Sequence, residues 1–119
     1  MTLTVKDDVR VMRKVYNDKG EVAVLYSPGF GAGWFTWNTE NPDMLFDPTI
    51  VHFILDEEDA VERHNKITAY ATLKYPDAYL GGADDLTVEW VSEGTLFKVN
   101  EYDGNESIEY KEDDQWMIA

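Results

Sequence analysis

Apolar and polar residues alternate along two stretches near the start of the chain. In residues 9–16 valines alternate with larger or charged side chains, and in residues 21–26 Val22 and Val24 share one face. A period of two is typical of β-strands with one solvated face. The intervening residues 17–20 form a turn, because Gly20 is free to adopt positive φ. The pattern predicts an N-terminal β-hairpin.

The middle of the chain has helical spacing instead. Asp47-Pro48 is typical of a helix start, with a capping side chain followed by proline in the first turn, and an apolar run extends from there to Leu55. A second helix is predicted to begin near residues 56–59, where four acids oppose the positive end of the helix dipole. It ends by Tyr75, since a residue before proline disfavours the α region. Its apolar stripe is Ala60, Val61, His64, Ile67 and Ala71.

The last third of the chain returns to a period of two. Strands are predicted at residues 86–91, 95–102, 107–110 and 115–118, with turns at residues 92–94 and 103–105. No interior linker divides the chain, so residues 1–119 are predicted to form a single α+β domain. Its architecture is expected to be an N-terminal β-hairpin, two central helices and a C-terminal antiparallel meander, forming one sheet covered by the helices.

Composition limits where and how such a domain works. The chain has no cysteine, which removes disulfides and thiol chemistry and fits a reducing compartment. No apolar run approaches the roughly 18 residues that would span a bilayer, and residues 1–8 lack the apolar stretch of a signal peptide. A cytoplasmic protein without a membrane partner is therefore expected.

The net charge of −14 is unevenly distributed. Residues 1–38 carry four acids and five bases, residues 39–76 carry eight acids and three bases, and residues 77–119 carry twelve acids and two bases. This balance argues against direct binding to nucleic acid or to a membrane surface, because both require clustered Lys and Arg. The acids either keep the protein soluble or imitate nucleic acid and occupy a basic groove on another protein. The acidic interaction surface predicted by the second interpretation contains Asp84, Asp85, Glu89, Glu93, Glu101, Asp103, Glu106, Glu112, Asp113 and Asp114.

Residues 27–38, SPGFGAGWFTWN, combine three glycines with four large aromatic side chains. Glycines let a backbone approach a ligand closely and expose its N–H groups, and aromatic rings add stacking surface. The segment is neither a dinucleotide fingerprint nor a P-loop, since no lysine follows it. Two interpretations remain: a tight corner whose aromatic side chains fill the core, or a site for a ligand or partner. The residues predicted to bind in the second case are Phe30, Trp34, Phe35, Trp37 and Asn38.

Catalytic and metal-binding patterns are weak. His52 and His64 have no metal-ligand spacing, and histidines at the edge of a core explain them better. No nucleophile, base and orienting group stand at a recognisable spacing, which disfavours an enzyme. The acidic runs, including Asp84-Asp85 and residues 112–114, lack the spacing of an EF-hand. Neither a metal nor a cofactor is predicted.

Four stretches together carry a resemblance. SPGFGAGW at residues 27–34, FDP at 46–48, YP at 75–76 and EYDGNE at 101–106 resemble a pattern in small acidic bacteriophage proteins of uncharacterised function. The resemblance covers residues 22–119 and implies a viral protein acting in the host cytosol. It implies no chemistry for any residue.

Two functions follow as hypotheses. The first is an interaction protein that binds and inhibits a host factor by acidic surface mimicry, with a nucleic-acid-handling defence system as the kind of target. The alternative is a protein that binds and sequesters a nucleotide or other small molecule at residues 27–38. A free strand edge in a meander also favours self-association into a homo-oligomer.

Overall fold

A computed structural model of the chain describes residues 3–7, 13–110 and 117–119. Residues 8–12, where the first predicted strand begins, and residues 115–116 of the last one lie outside this part. The described elements, in chain order, are β1 (Thr4–Asp7), β2 (Arg13–Tyr16), β3 (Glu21–Tyr26), α1 (Pro48–Asp56), α2 (Ala60–Lys74), β4 (Thr87–Ser92), β5 (Leu96–Tyr102), β6 (Asn105–Tyr110) and β7 (Met117–Ile118). Short 3-10 turns occupy Phe35–Trp37, Pro42–Leu45 and Gly81–Asp85. The predicted α+β class is confirmed.

Four antiparallel strands form the central sheet in the order β1-β2-β3-β4. The predicted β2–β3 hairpin is confirmed: Tyr16 pairs with Val22, and Gly20 has φ +74° in the turn. The side chain of Asn17 accepts hydrogen bonds from the amides of Lys19 and Glu21, which closes this turn. β4, from the distant second half of the chain, completes the sheet along the full length of β3.

Both predicted helices are present and pack on one face of this sheet. Asp47 and Asp59 cap their first turns, each accepting two backbone amides. α2 ends at Lys74, directly before Tyr75-Pro76. Of its predicted apolar stripe, Ile67 and Ala71 are buried whereas the first turn is exposed. The helices and the sheet share a core of Val15, Ala23, Leu25, Trp34, Met44, Ile50, Val51, Ile67, Ala71, Tyr75, Ala83 and Leu86.

The remaining strands do not extend this sheet, so the prediction of a single sheet is wrong. β5, β6 and β7 form a separate antiparallel sheet in the order β6-β5-β7. It packs on the other face of the central sheet through a second core, where Phe97 contacts Phe46 edge to face. Alternation along a strand identifies which face is apolar, but it does not specify which strand lies beside it.

β3 is consequently buried from both sides. Ala23 and Leu25 face the helices, whereas Val22 and Val24 face the three-stranded sheet. The molecule therefore has three layers, helices, central sheet and second sheet. Residues 27–38 leave the end of this doubly buried strand.

Candidate functional site

Residues 27–38, hereafter the glycine-aromatic loop, wrap around a buried carboxylate. It belongs to Glu106 of β6, which is 1% exposed. Its Oε1 accepts a hydrogen bond from the Ser27 amide at 2.8 Å, and its Oε2 accepts from the amides of Trp34 and Thr36, both at 2.9 Å. The Thr36 hydroxyl donates to the same Oε2 at 2.6 Å. These charge-assisted bonds offset the cost of burying the carboxylate.

The same contacts show which anion the backbone amides of the loop bind. Successive backbone amides in glycine-rich turns form anion-binding concavities. Here the anion bound by the loop is the protein's own Glu106 side chain. Three of the amides that would contact a phosphate are thus already engaged. This observation disfavours the interpretation of the loop as a nucleotide-binding site and favours its interpretation as a tight corner.

The turn between β5 and β6 seals the corner. The Gly31 amide donates to the Asp103 carbonyl at 2.8 Å, and the Glu106 amide donates to the Ser27 carbonyl at 2.7 Å. Gly104 has φ +85°, and a Cβ at this position would overlap the backbone of Ala32. Only glycine satisfies both the conformation and the close approach.

The five loop residues predicted to bind a ligand or partner divide between the interior and the surface. Trp34 is fully buried, and its indole N–H donates to the Met44 carbonyl at 2.8 Å. Asn38 is 3% exposed, and its side chain bonds the carbonyl of Trp34 and the backbone of Tyr79. Their burial argues against the predicted binding role, because neither presents its side chain to solvent. Phe35 is half-buried and packs against both cores.

Among the four aromatic side chains of the loop, Phe30 and Trp37 are the exposed ones, with exposed fractions of 70% and 42%. The Trp37 ring lies 5.5 Å from the ring of Tyr79, which is itself 55% exposed. We call Phe30, Trp37 and Tyr79 the aromatic rim. Tyr79 precedes the 3-10 turn Gly81–Asp85, whose Gly82 packs against Gly33 of the loop. No periodic element contains Tyr79, so the sequence pattern did not predict it as a site residue.

Four exposed carboxylates stand on the two segments that abut the loop. Asp84 and Asp85 belong to the 3-10 turn Gly81–Asp85, and the Asp85 side chain lies against Gly29. Glu101 and Asp103 belong to the end of β5 and its turn, where the Asp103 carbonyl bonds the loop at Gly31. Phe30 is therefore placed between a segment carrying Asp84 and Asp85 and a segment carrying Glu101 and Asp103.

The other predicted acids are placed differently. Glu93 is exposed at the turn after β4. Glu89 is half-buried, accepts a hydrogen bond from the Tyr110 hydroxyl, and has its pKa raised by burial. Glu106 is interior, so its assignment to an acidic surface is wrong. Residues 112–114 (Glu112, Asp113 and Asp114) lie outside the described residues.

A second buried carboxylate, Asp47, was expected only to cap α1. It also accepts hydrogen bonds from the hydroxyls of Tyr70 at 2.9 Å and Tyr75 at 2.5 Å. Burial, followed by the contact with Asp47, raises the pKa of Tyr75. The local Asp-Pro pattern reveals the cap, but no local signal could reveal phenols that lie 23 and 28 positions further along the chain.

The two histidines contact acids rather than each other. His64 Nδ1 lies 2.7 Å from Asp84 Oδ1, and His52 Nδ1 lies 3.8 Å from Asp56 Oδ2. Among residues 3–7, 13–110 and 117–119, no three His, Asp or Glu side chains converge on a point that could hold a metal ion.

Comparison with known proteins gives no match among protein-family models, curated proteins or solved structures. In the described part of the chain, neither helix has the length and apolar character needed to cross a membrane.

Proposed function

We propose that this protein is an interaction module that binds a basic surface of another protein through the aromatic rim and the four carboxylates on the segments that flank the glycine-aromatic loop. The observation that carries the proposal is the closure of the glycine-aromatic loop on Glu106 with Phe30 left 70% exposed. Because the backbone amides of the loop already bind the Glu106 carboxylate, the loop presents side chains at the surface rather than forming a pocket.

The aromatic rim has the residue types and the setting of an interface centre. Aromatic side chains are enriched at the centres of protein interfaces and supply large contact areas. Phe30 and Trp37 are carried on a backbone fixed by hydrogen bonds to Glu106 and Asp103. Because this backbone is already ordered, binding would forfeit little conformational entropy.

The surrounding charge specifies the kind of partner. Asp84, Asp85, Glu101 and Asp103 flank the loop in a chain whose net charge is −14. Carboxylates at the edge of an interface attract a positively charged partner and accelerate its association. A Lys- or Arg-rich surface is the complement of this arrangement.

The finer proposal is that the partner is a host protein whose basic groove otherwise holds nucleic acid. The excess of acid in residues 39–119 and the resemblance to small bacteriophage proteins support it. Occupation of the groove would inhibit the partner by excluding its nucleic acid. Inhibition of a nucleic-acid-handling defence system is the function that this version proposes.

Capture of partners from a bacterial lysate with three immobilised proteins tests the surface. The proteins are the wild type, the double variant Phe30→Ser/Trp37→Ser, and the control Leu73→Ser, which removes an apolar side chain that is 85% exposed on α2. We expect a partner that the wild type and the control retain and the double variant loses. Identical partner sets for all three proteins would contradict the use of the aromatic rim.

Salt and competition then test the charge component with the purified partner. We expect its affinity to fall steeply between 50 mM and 200 mM salt, as happens when exposed charges attract each other. A DNA or RNA duplex bound by the partner should be displaced by the wild type. Salt-insensitive binding without displacement would reject mimicry while leaving an apolar interface in place.

A further inference from the structure

A polar pocket of about 170 Å³ lies at the start of α1. Four separate elements supply its wall: β2, the 3-10 turn Pro42–Leu45, α1 and α2. The charged and hydroxyl side chains that line it are Arg13, Asp43, Asp47, Thr49, Tyr70 and Lys74. None of them belongs to the glycine-aromatic loop or to its flanking acids, so the pocket is a separate candidate site.

Asp47, the most buried group in the wall, is already satisfied. Its Oδ1 accepts hydrogen bonds from the amides of Thr49 at 2.9 Å and Ile50 at 3.3 Å. The hydroxyls of Tyr70 and Tyr75 donate to it as well. A carboxylate offers about four lone-pair sites. Asp47 therefore holds the wall together and leaves little capacity for a ligand.

Lys74 has donor capacity that Asp47 does not use. Its Nζ is 3.9 Å from Asp47 Oδ2, beyond hydrogen-bond distance, and its side chain is 46% exposed. The ammonium lies 6.0 Å and 5.9 Å from the ring centres of Tyr70 and Tyr75, which hold it beside the pocket. An ammonium carries three donors. Lys74 can therefore donate a hydrogen bond to an anionic acceptor on a ligand.

A simple anion does not suit the rest of the wall. Asp43 lines the same pocket and is exposed, and the whole chain carries a net charge of −14. A ligand with negative charge alone would meet repulsion from Asp43 and from the surrounding acid. A ligand that adds an ammonium next to its carboxylate can bind Lys74 and Asp43 together.

The volume limits the size of this ligand. A buried water molecule needs roughly 10–15 Å³ of cavity volume. The pocket therefore holds on the order of ten water-sized groups, enough for an amino acid with a short side chain.

We propose that the pocket between β2, α1 and α2 binds a small zwitterion of the α-amino-acid class, with Lys74 receiving its carboxylate and Asp43 its ammonium. The convergence of the Lys74 ammonium and the Asp43 carboxylate in one polar pocket carries this assignment.

Calorimetric and amide NMR titrations of the full chain with glycine, alanine and serine test it. The matched variants are Lys74→Gln and Lys66→Gln, because both lysines lie on α2 and both side chains are 46% exposed. Removing a charge-assisted hydrogen bond should weaken binding about tenfold or more in Lys74→Gln. Lys66→Gln should bind like the wild type, and Lys74→Arg, which keeps the charge, should retain most of the affinity.

The controls are acetate, methylammonium and inorganic phosphate, and thermal denaturation confirms that each variant is folded. Weaker binding of all three controls than of the amino acids is the expected result. Binding of acetate or phosphate equal to that of alanine would overturn the zwitterion assignment. Equal affinity in the wild type and a folded Lys74→Gln, or no response of amides around the pocket at about 10 mM amino acid, would overturn the site.

Discussion

At the scale of single residues, two glycines with the same backbone conformation have different surroundings. Gly94 and Gly104 both have φ +85°. A Cβ on Gly94 would meet nothing within 4 Å, whereas a Cβ on Gly104 would overlap the backbone of Ala32 in the glycine-aromatic loop. Substitutions at these two glycines therefore separate the free-energy cost of the left-handed conformation from the cost of disturbing the contact between turn and loop.

The substitution Gly94→Ala should cost about 1–2 kcal/mol of unfolding free energy, the penalty of a left-handed L-residue. Gly104→Ala carries the same penalty and also displaces the loop, so we expect a loss larger by at least about 2 kcal/mol. Urea denaturation followed by tryptophan fluorescence measures both. Equal losses would show that the turn does not rest on the loop.

The glycine-aromatic loop also marks how far residue-level prediction extends. The sequence identified the loop and its two alternatives, but it could not sort Trp34 from Trp37, three positions apart. The first is buried and the second is 42% exposed because the backbone between them folds around Glu106, about 70 positions away. Periodicity predicts which way a side chain points only within regular helices and strands.

At the scale of elements, the helices were predictable because their starts are encoded locally. Asp47-Pro48 and the acids before Ala60 mark the observed first turns of α1 and α2. The two N-caps have the same chemistry and different burial: Asp47 is 1% exposed, and Asp59 is exposed. Only Asp47 also binds two tyrosine hydroxyls.

Alanine substitutions at these caps should therefore differ in cost. Asp59→Ala loses a solvated cap, with an expected cost of about 1 kcal/mol. Asp47→Ala loses a cap and also leaves the hydroxyls of Tyr70 and Tyr75 without their acceptor, with an expected cost of about 3–5 kcal/mol. Denaturation in urea compares the two variants. Costs within about 0.5 kcal/mol of each other would contradict the role of Asp47 as a link between α1 and α2.

At the scale of the whole molecule, the sequence predicted the fold class and the described strands apart from β1 (Thr4–Asp7), but not how the strands are shared between sheets. β4 pairs with β3, while the next strand, β5, crosses to the second sheet. The reason lies in long-range packing: Val91 and Phe97 both face the core between the sheets, on strands that do not pair. The alternation of apolar and polar residues is the same whether two strands pair within one sheet or pack face to face in two sheets.

Charge is the other property of the whole molecule that sequence alone assigns incompletely. A net charge of −14 indicates an acidic surface but does not state which acids reach it. Asp84, Asp85, Glu101 and Asp103 do, whereas Glu106 joins the second sheet to the loop that leaves the central sheet. The Glu106 carboxylate therefore holds in place the glycine-aromatic loop, which carries Phe30 and Trp37 of the proposed interface.

The unfolding free energy of Glu106→Gln measures how far this carboxylate stabilises the closed glycine-aromatic loop. Glutamine replaces one acceptor oxygen with an amide donor that faces backbone N–H groups, so we expect a loss of about 2–4 kcal/mol. The matched control is Glu109→Gln on the same strand, where the side chain is exposed and a change within about 0.5 kcal/mol is expected. Equal stability of the two variants in urea would contradict this role of Glu106, because the loop would then not be closed on its carboxylate.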